Sequence, residues 1–278
     1  MSNPNPFDQP KTFKSRRTFL RTAGAVTALS AVGPVRALAQ GSSSLKPAVL
    51  TPPQSFDLRS LNGKNYVTEV RDQGGCNSCT AFAVVAAIET AKSVKDDTPN
   101  PQIHLSEDQL FSCAGPGCDT NAWYPNEALD YCKATGLTGY NEYFPIDGAC
   151  HQDSISTPLK ISDWKPLNNG DEMKKWISGD NPSGKPSPVV SIFVLYQDLL
   201  DHSPNNPNQV YRHNGNSKRN ETRIGGHVVC IIGYKENPGY WICKNSWGTR
   251  WGGAGMGFFN IAYGDCHIDD YRMYGVVL

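Results

Sequence analysis

The sequence has no net charge, because 26 Lys and Arg offset 26 Asp and Glu across its 278 residues. Without a basic surplus there is no long-range pull toward nucleic acid. It has no apolar run near the roughly 20 residues that span a bilayer, which argues against an integral membrane protein. It has no internal repeat, and no low-complexity tract beyond a short Ser-, Pro- and Ala-rich stretch at residues 40–53. What remains is ordinary globular texture, with 38% hydrophobic and 19% charged residues and length enough for one large domain or two small ones. The nine cysteines are an odd number. In a domain this large they do not suggest a disulfide-knotted miniprotein.

Charge is unevenly placed. Residues 1–39 hold Lys11, Lys14, Arg16, Arg17, Arg21 and Arg36 against Asp8 alone. An Ala-rich apolar stretch from Thr22 to Val35 follows, ending in Ala37-Leu38-Ala39, a small-x-small cleavage pattern. Ser15-Arg16-Arg17-Thr18-Phe19-Leu20-Arg21 resembles a bacterial twin-arginine export signal. The expectation is therefore an export signal at 1–39 and a flexible tether at 40–55, with compact structure from about Phe56 and a periplasmic or secreted location. Removing 1–39 leaves 20 basic and 25 acidic residues, a mildly acidic mature chain.

The two halves of the remaining chain differ in pattern. Cys79 to Val94 is apolar on nearly every face, as in a buried helix. Ser106-Glu107-Asp108-Gln109 has the form of a capping box opening a second helix. Asn126 to Lys133 predicts a third helix, stopped near Gly136. After Pro188 come short β-rich runs at 189–194, 228–232, 240–243 and 258–261. Residues 201–226 are polar and Asn-rich and predict a long surface loop. Helices first and strands later predict an α+β protein of two subdomains, with a ligand cleft between them.

Cys76-Asn77-Ser78-Cys79 is a Cys-x-x-Cys motif with three readings: a redox dithiol, half a zinc site, or one structural and one reactive cysteine. No βαβ pattern supports the first, and no second paired ligand motif supports the second. Cys79 stands where a helix begins, a position that favours thiolate. A nucleophilic cysteine needs a base. His227 leads into the run from Val228, although a lone histidine is more often a surface or satisfied core residue. Asn245, at the end of another run, has an amide able to orient an imidazole, and Trp247 is placed to cover that contact. The Cys79 backbone N–H and the Gln73 side chain are candidate oxyanion donors.

Together Gln73-Gly-Gly-Cys76-Asn-Ser-Cys79, Gly226-His227-Val228 and Lys244-Asn245-Ser246-Trp247-Gly248-x-x-Trp251-Gly252 resemble the papain family of cysteine peptidases. Leu105-Ser106-Glu107-Asp108-Gln109-Leu110 and Phe56-Asp57-Leu58-Arg59 resemble it too, and the likeness runs in family order from about Phe56 to the C-terminus. It implies a left helical subdomain on a right β-barrel-like subdomain, filling residues 56–278. It implies Cys79 as nucleophile, His227 as its base in a thiolate–imidazolium pair, Asn245 as orienter and Gln73 as oxyanion donor. Trp247 would shield the site on its leaving-group side. The implied partners are peptide or protein substrates and a protein inhibitor. The chain would be a monomer with no cofactor and no metal.

The resemblance also pairs Cys76 with Cys118 and Cys113 with Cys150. Its third bridge lacks a partner for Cys266. Cys230 and Cys243 read as buried small hydrophobes. Thr80 replaces an aromatic after the nucleophile. Asp119-Thr120-Asn121-Ala122-Trp123 replaces a glycine-rich groove wall, so Trp123 either narrows the groove or packs inward toward Tyr124 and Pro125. Only residues 40–55 separate the signal from the domain, so no inhibitory pro-region of the usual size is expected. An exopeptidase, an acyl-transferase, a catalytically silent peptide-binding protein and a disulfide oxidoreductase using Cys76 and Cys79 are the competing readings.

Overall fold

Apolar residues on all sides of the segment after Ser78 bury one long helix, and the rest of the helical half is built around it. The computed structural model describes residues 51–278 except 119–122, 144–146 and 216–221. The expected export signal and most of the tether lie outside those residues. Three helices form the first half: α1 (Cys79–Lys95), α2 (Glu107–Ala114) and α3 (Pro125–Ala134). Ser106 caps α2, its side chain accepting from the Gln109 N–H at 3.0 Å. The capping box is not reciprocal, because the Gln109 side chain bonds the Gly136 carbonyl and the Thr138 N–H instead. Val84, Ile88, Leu110, Leu129 and Leu137 are fully buried there.

The second half is one eight-stranded sheet. Its strands are β1 (Ser55–Asp57), β2 (Asp163–Leu167), β3 (Val189–Tyr196), β4 (Val210–Tyr211), β5 (Arg223–Lys235), β6 (Tyr240–Lys244), β7 (Phe258–Ala262) and β8 (Arg272–Val277). The order is β2-β8-β3-β5-β6-β7-β4, with β1 pairing the far end of β5. Two further helices, α4 (Gly170–Ser178) and α5 (Gln197–Leu200), belong to this half. Trp176 of α4 packs flat on β8 at Gly275, where an added Cβ would stand 2.1 Å from the ring. Trp241, Phe193, Tyr234 and Met173 form the centre of the sheet's core.

Three expectations need correction. Ser55 already pairs with Lys235, so residues 51–55 belong to the folded unit rather than to a tether. Residues 201–226 are not one loop. Part of the segment forms β4 at the sheet edge beyond β7, held by the Asn260 amide on the Pro207 carbonyl at 2.9 Å, and β5 begins at Arg223. His227 therefore sits inside β5, opposite Phe193, and not at the strand's start. Its backbone is held by β3 on one side, since the β6 pairing begins only at Cys230. Helix α4 and strands β1, β2 and β8 carry short or polar patterns that periodicity alone does not separate from loop.

Candidate active site

The nucleophile candidate opens α1. Cys79 is its first residue and Ser78 its N-cap. The backbone N–H of Val228 and those of Thr80 and Cys79 favour a thiolate there, yet burial outweighs them and pushes the Cys79 thiol up. The expected thiolate-favouring effect of the helix start is therefore present but is not the larger influence.

On the sheet side, His227 is 3% exposed and its Nε2 lies 2.7 Å from Asn245 Oδ1. An amide oxygen only accepts, so Nε2 donates and Nδ1 is left as the basic nitrogen. Burial holds His227 at about 4, against the Asn245 contact, which raises it. Each member of the pair is thus kept neutral when considered alone. Trp247 stacks on the imidazole at 4.5 Å between centroids and 26° between planes, and Trp251 meets Trp247 edge-on. Asn245 follows β6 directly, and its own N–H bonds the Gly257 carbonyl at 3.0 Å. Gly257 has φ +86°, and a Cβ there would strike Val70 at 2.5 Å, so only glycine allows that close approach.

Gln73 is brought to this group by a strap. Gln73 N–H donates to the Ser246 carbonyl and Gly248 N–H to the Arg71 carbonyl, with Asp72 bridging Trp247 between them. The Gln73 side chain accepts from Ser246 Oγ at 2.6 Å and donates to the Cys76 carbonyl at 2.8 Å. Ser246 thus holds the Gln73 side chain, a contact that sequence reasoning missed. Its place between Asn245 and Trp247 was the available signal.

Beneath the site lies a buried charge cluster, also unforeseen. Glu89 of α1 is 0% exposed and accepts from Arg71 at 2.9 and 3.1 Å, from Thr68 Oγ1 at 2.6 Å and from the Leu105 N–H at 2.8 Å. Arg71 also reaches Glu107. Lys244 donates to Thr68 Oγ1 at 2.8 Å, and burial lowers its pKa to about 8. These ties join α1 and α2 to Arg71, two residues before Gln73, and to Lys244, directly before Asn245.

Cys76 bonds Cys118 and Cys113 bonds Cys150. Cys76 is therefore not the redox partner of Cys79. Cys132, Cys230, Cys243 and Cys266 are free and buried. Trp123 is 7% exposed, packs edge-on against Phe111 and accepts from Thr80 Oγ1 at 2.7 Å through its carbonyl. Its ring packs inward and does not line a groove, which corrects its placement as a substrate contact. The neighbouring wall residues 119–122 lie outside the described residues. Among the described residues no cluster of His, Cys, Asp and Glu has the makings of a metal site, and no helix is long and apolar enough to cross a membrane.

Comparison with known proteins gives the family and the fold. A cathepsin L-like proteinase of Fasciola hepatica is 30% identical over 214 residues, covering 73% of this chain and 59% of that protein. Cysteine proteinase 2 of Zea mays is 28% identical over 265 residues, 90% of this chain and 67% of its own length. The chain thus spans about three fifths to two thirds of these relatives. The ragweed pollen cysteine protease Amb a 11, solved in its proform, superposes with a TM-score of 0.64 at 26% identity over 84% of this chain and 68% of that one. The bromelain protease of Ananas comosus, solved with an inhibitor, shares the fold, with a TM-score of 0.62 at 24% identity over 81% of this chain and 99% of that one. The family described as papain family cysteine protease matches residues 52–276, and the chain belongs to that family.

Proposed function

We propose that the chain is an exported cysteine peptidase that cuts peptide bonds through a thioester intermediate. The observation that carries this is the His227–Asn245 hydrogen bond under the stacked Trp247, with the backbone of Val228, the next residue, favouring a thiolate at Cys79. The Cys79 proton passes from Sγ to His227 Nδ1, so thiolate and imidazolium appear together. Net charge does not change, and burial penalises the pair less than either ion alone. Sγ attacks the carbonyl carbon, and the oxyanion is met by the Cys79 N–H and the Gln73 amide. The amide turns from the Cys76 carbonyl while Ser246 keeps its oxygen fixed. The bond to nitrogen breaks as His227 returns the proton to the leaving amine, on the Trp247 side. Water then attacks the thioester, giving its proton to His227, and the acid leaves as Sγ is released.

The two disulfides suit an oxidising compartment, which supports export by the twin-arginine signal read at residues 15–21. Peptide or protein substrates, a protein inhibitor and a monomeric state complete the reading. Cys79→Ala tests it directly. Hydrolysis of a peptide library and labelling by a thiol-directed epoxide are both expected to vanish, and retained hydrolysis would refute the assignment. Mass spectrometry of the products distinguishes internal cuts from terminal trimming.

A further inference from the structure

The sheet places one cation in the cleft that the proposed mechanism leaves unused. Arg272 opens β8, and the register aligns it with Ile192 of β3, which is itself aligned with Val228 of β5. Residues opposite one another in antiparallel strands share a face. Val228 and the α1 residues Phe82, Ala83 and Ala86 line one small cavity, so this face looks toward the helical half. Two strand spacings put the Arg272 backbone about 10 Å from that of Val228. Its side chain then crosses to the helical half, where the guanidinium lies 4.2 Å from the centroid of Tyr124, the N-cap residue of α3. Tyr271 also faces it, at 5.5 Å. Tyr124 follows Trp123, whose carbonyl is tied to Thr80 beside the nucleophile.

The groups around this guanidinium are the phenol rings of Tyr124, Tyr271 and Tyr274. No carboxylate pairs with it among the described residues. Arg272 is half-buried, lies over the Tyr124 ring and hydrogen-bonds Tyr274, and its five N–H donors exceed what one phenol oxygen takes up. Such a fork matches a carboxylate in two-point contact. Trp247 follows β6, on one side of β5, whereas Arg272 lies two strands away on the other. With Trp247 at the leaving-group end, Arg272 meets the acyl part of the substrate. A span of 10 Å is about three residues of extended chain.

We propose that Arg272 selects an acidic side chain within the three residues N-terminal to the scissile bond. This rests on the peptidase reading, and the test separates the two. Peptides differing only by Glu, Gln or Lys at each of those three positions are compared by kcat/KM. Each enzyme preparation is normalised to its epoxide-titrated sites, and preferences are taken as ratios within one variant, so partial misfolding cannot imitate the effect. Wild type is expected to favour Glu over Gln about tenfold at one position. Arg272→Gln should bring that ratio within twofold of unity, Arg272→Lys should retain part of it, and Arg272→Glu should favour Lys. Equal rates on Glu and Gln peptides at all three positions overturn the proposal, as does a preference that survives Arg272→Gln. Should wild type cut none of the peptides, the peptidase reading falls. The dissociation constants of the same peptides for Cys79→Ala then decide the Arg272 proposal, a tenfold Glu preference supporting it and a ratio of one overturning it.

Discussion

Glu89→Gln removes one charge from beneath the active site without opening a cavity. The substituted amide keeps the carboxylate's shape but leaves the cationic Arg71 and Lys244 with Glu107 as the cluster's remaining anion. Arg71 cannot shed its proton. Lys244 can, and this limits its share of the loss: from a pKa of about 8, neutralising it at pH 7 costs about 1.4 kcal/mol. The weakened charge-assisted bonds from Arg71 and the donor now facing Thr68 add roughly 1–3 kcal/mol. A total of about 3–5 kcal/mol is expected, the usual cost of breaking a buried pair. In a unit of this size that is a fall of roughly 6–20 °C in Tm.

The pH dependence has a definite sign. Lys244 has a lower pKa folded than unfolded, so the unfolded chain binds the extra proton and stability rises with pH once the folded amine has lost its own. In wild type that rise starts near 8, and in the variant it starts lower. The stability gap between them should therefore narrow from pH 7 to 9. Urea melts of wild type and variant at both pH values measure it. A loss below about 1 kcal/mol, or a gap that widens with pH, would refute the reasoning.

Asn245→Ala removes the contact that raises His227, so the imidazolium gives up its proton at lower pH and the alkaline limb of kcat/KM should move down. Losing a hydrogen bond to a charged ring predicts a fall of roughly 10- to 150-fold in kcat/KM, read from a pH–rate profile. Gly275→Ala forces a methyl into the Trp176 ring and should cost about 1–3 kcal/mol by overpacking, measured by thermal melting.

The residues proposed to carry the chemistry were legible because their chemistry is local. Cys79 announces itself at a helix start, and Asn245 with Trp247 at the end of an apolar run. Their supports were not legible, since Glu89, Lys244 and Arg71 are ordinary charged residues until folding brings them together across 18 to 173 positions of chain. The Glu89 position would read as the polar face of any helix, but α1 has no solvent face there. Strand β8 was hidden because Gly275 interrupts its apolar run, and the reason for that glycine lies in α4, a hundred residues earlier. Trp123 was undecided because inward and outward packing of an indole depend on a neighbour distant in sequence, here Phe111. The thiolate expectation for Cys79 considered the helix alone and omitted the depth at which the cleft holds the sulfur.

The cysteines also give the protein a built-in standard for counting itself. Four are bridged, and of the five free ones Cys132, Cys230, Cys243 and Cys266 are buried while Cys79 is not fully so. Burial raises the thiol pKa of all four interior cysteines. Burial raises Cys79 as well, so access is what separates them: a chromogenic thiol reagent reads one equivalent per folded chain and five after unfolding without reductant. The folded reading per mole of chain gives the fraction of chains whose Cys79 thiol is intact, and four equivalents should appear on unfolding whatever the state of Cys79, with no substrate required.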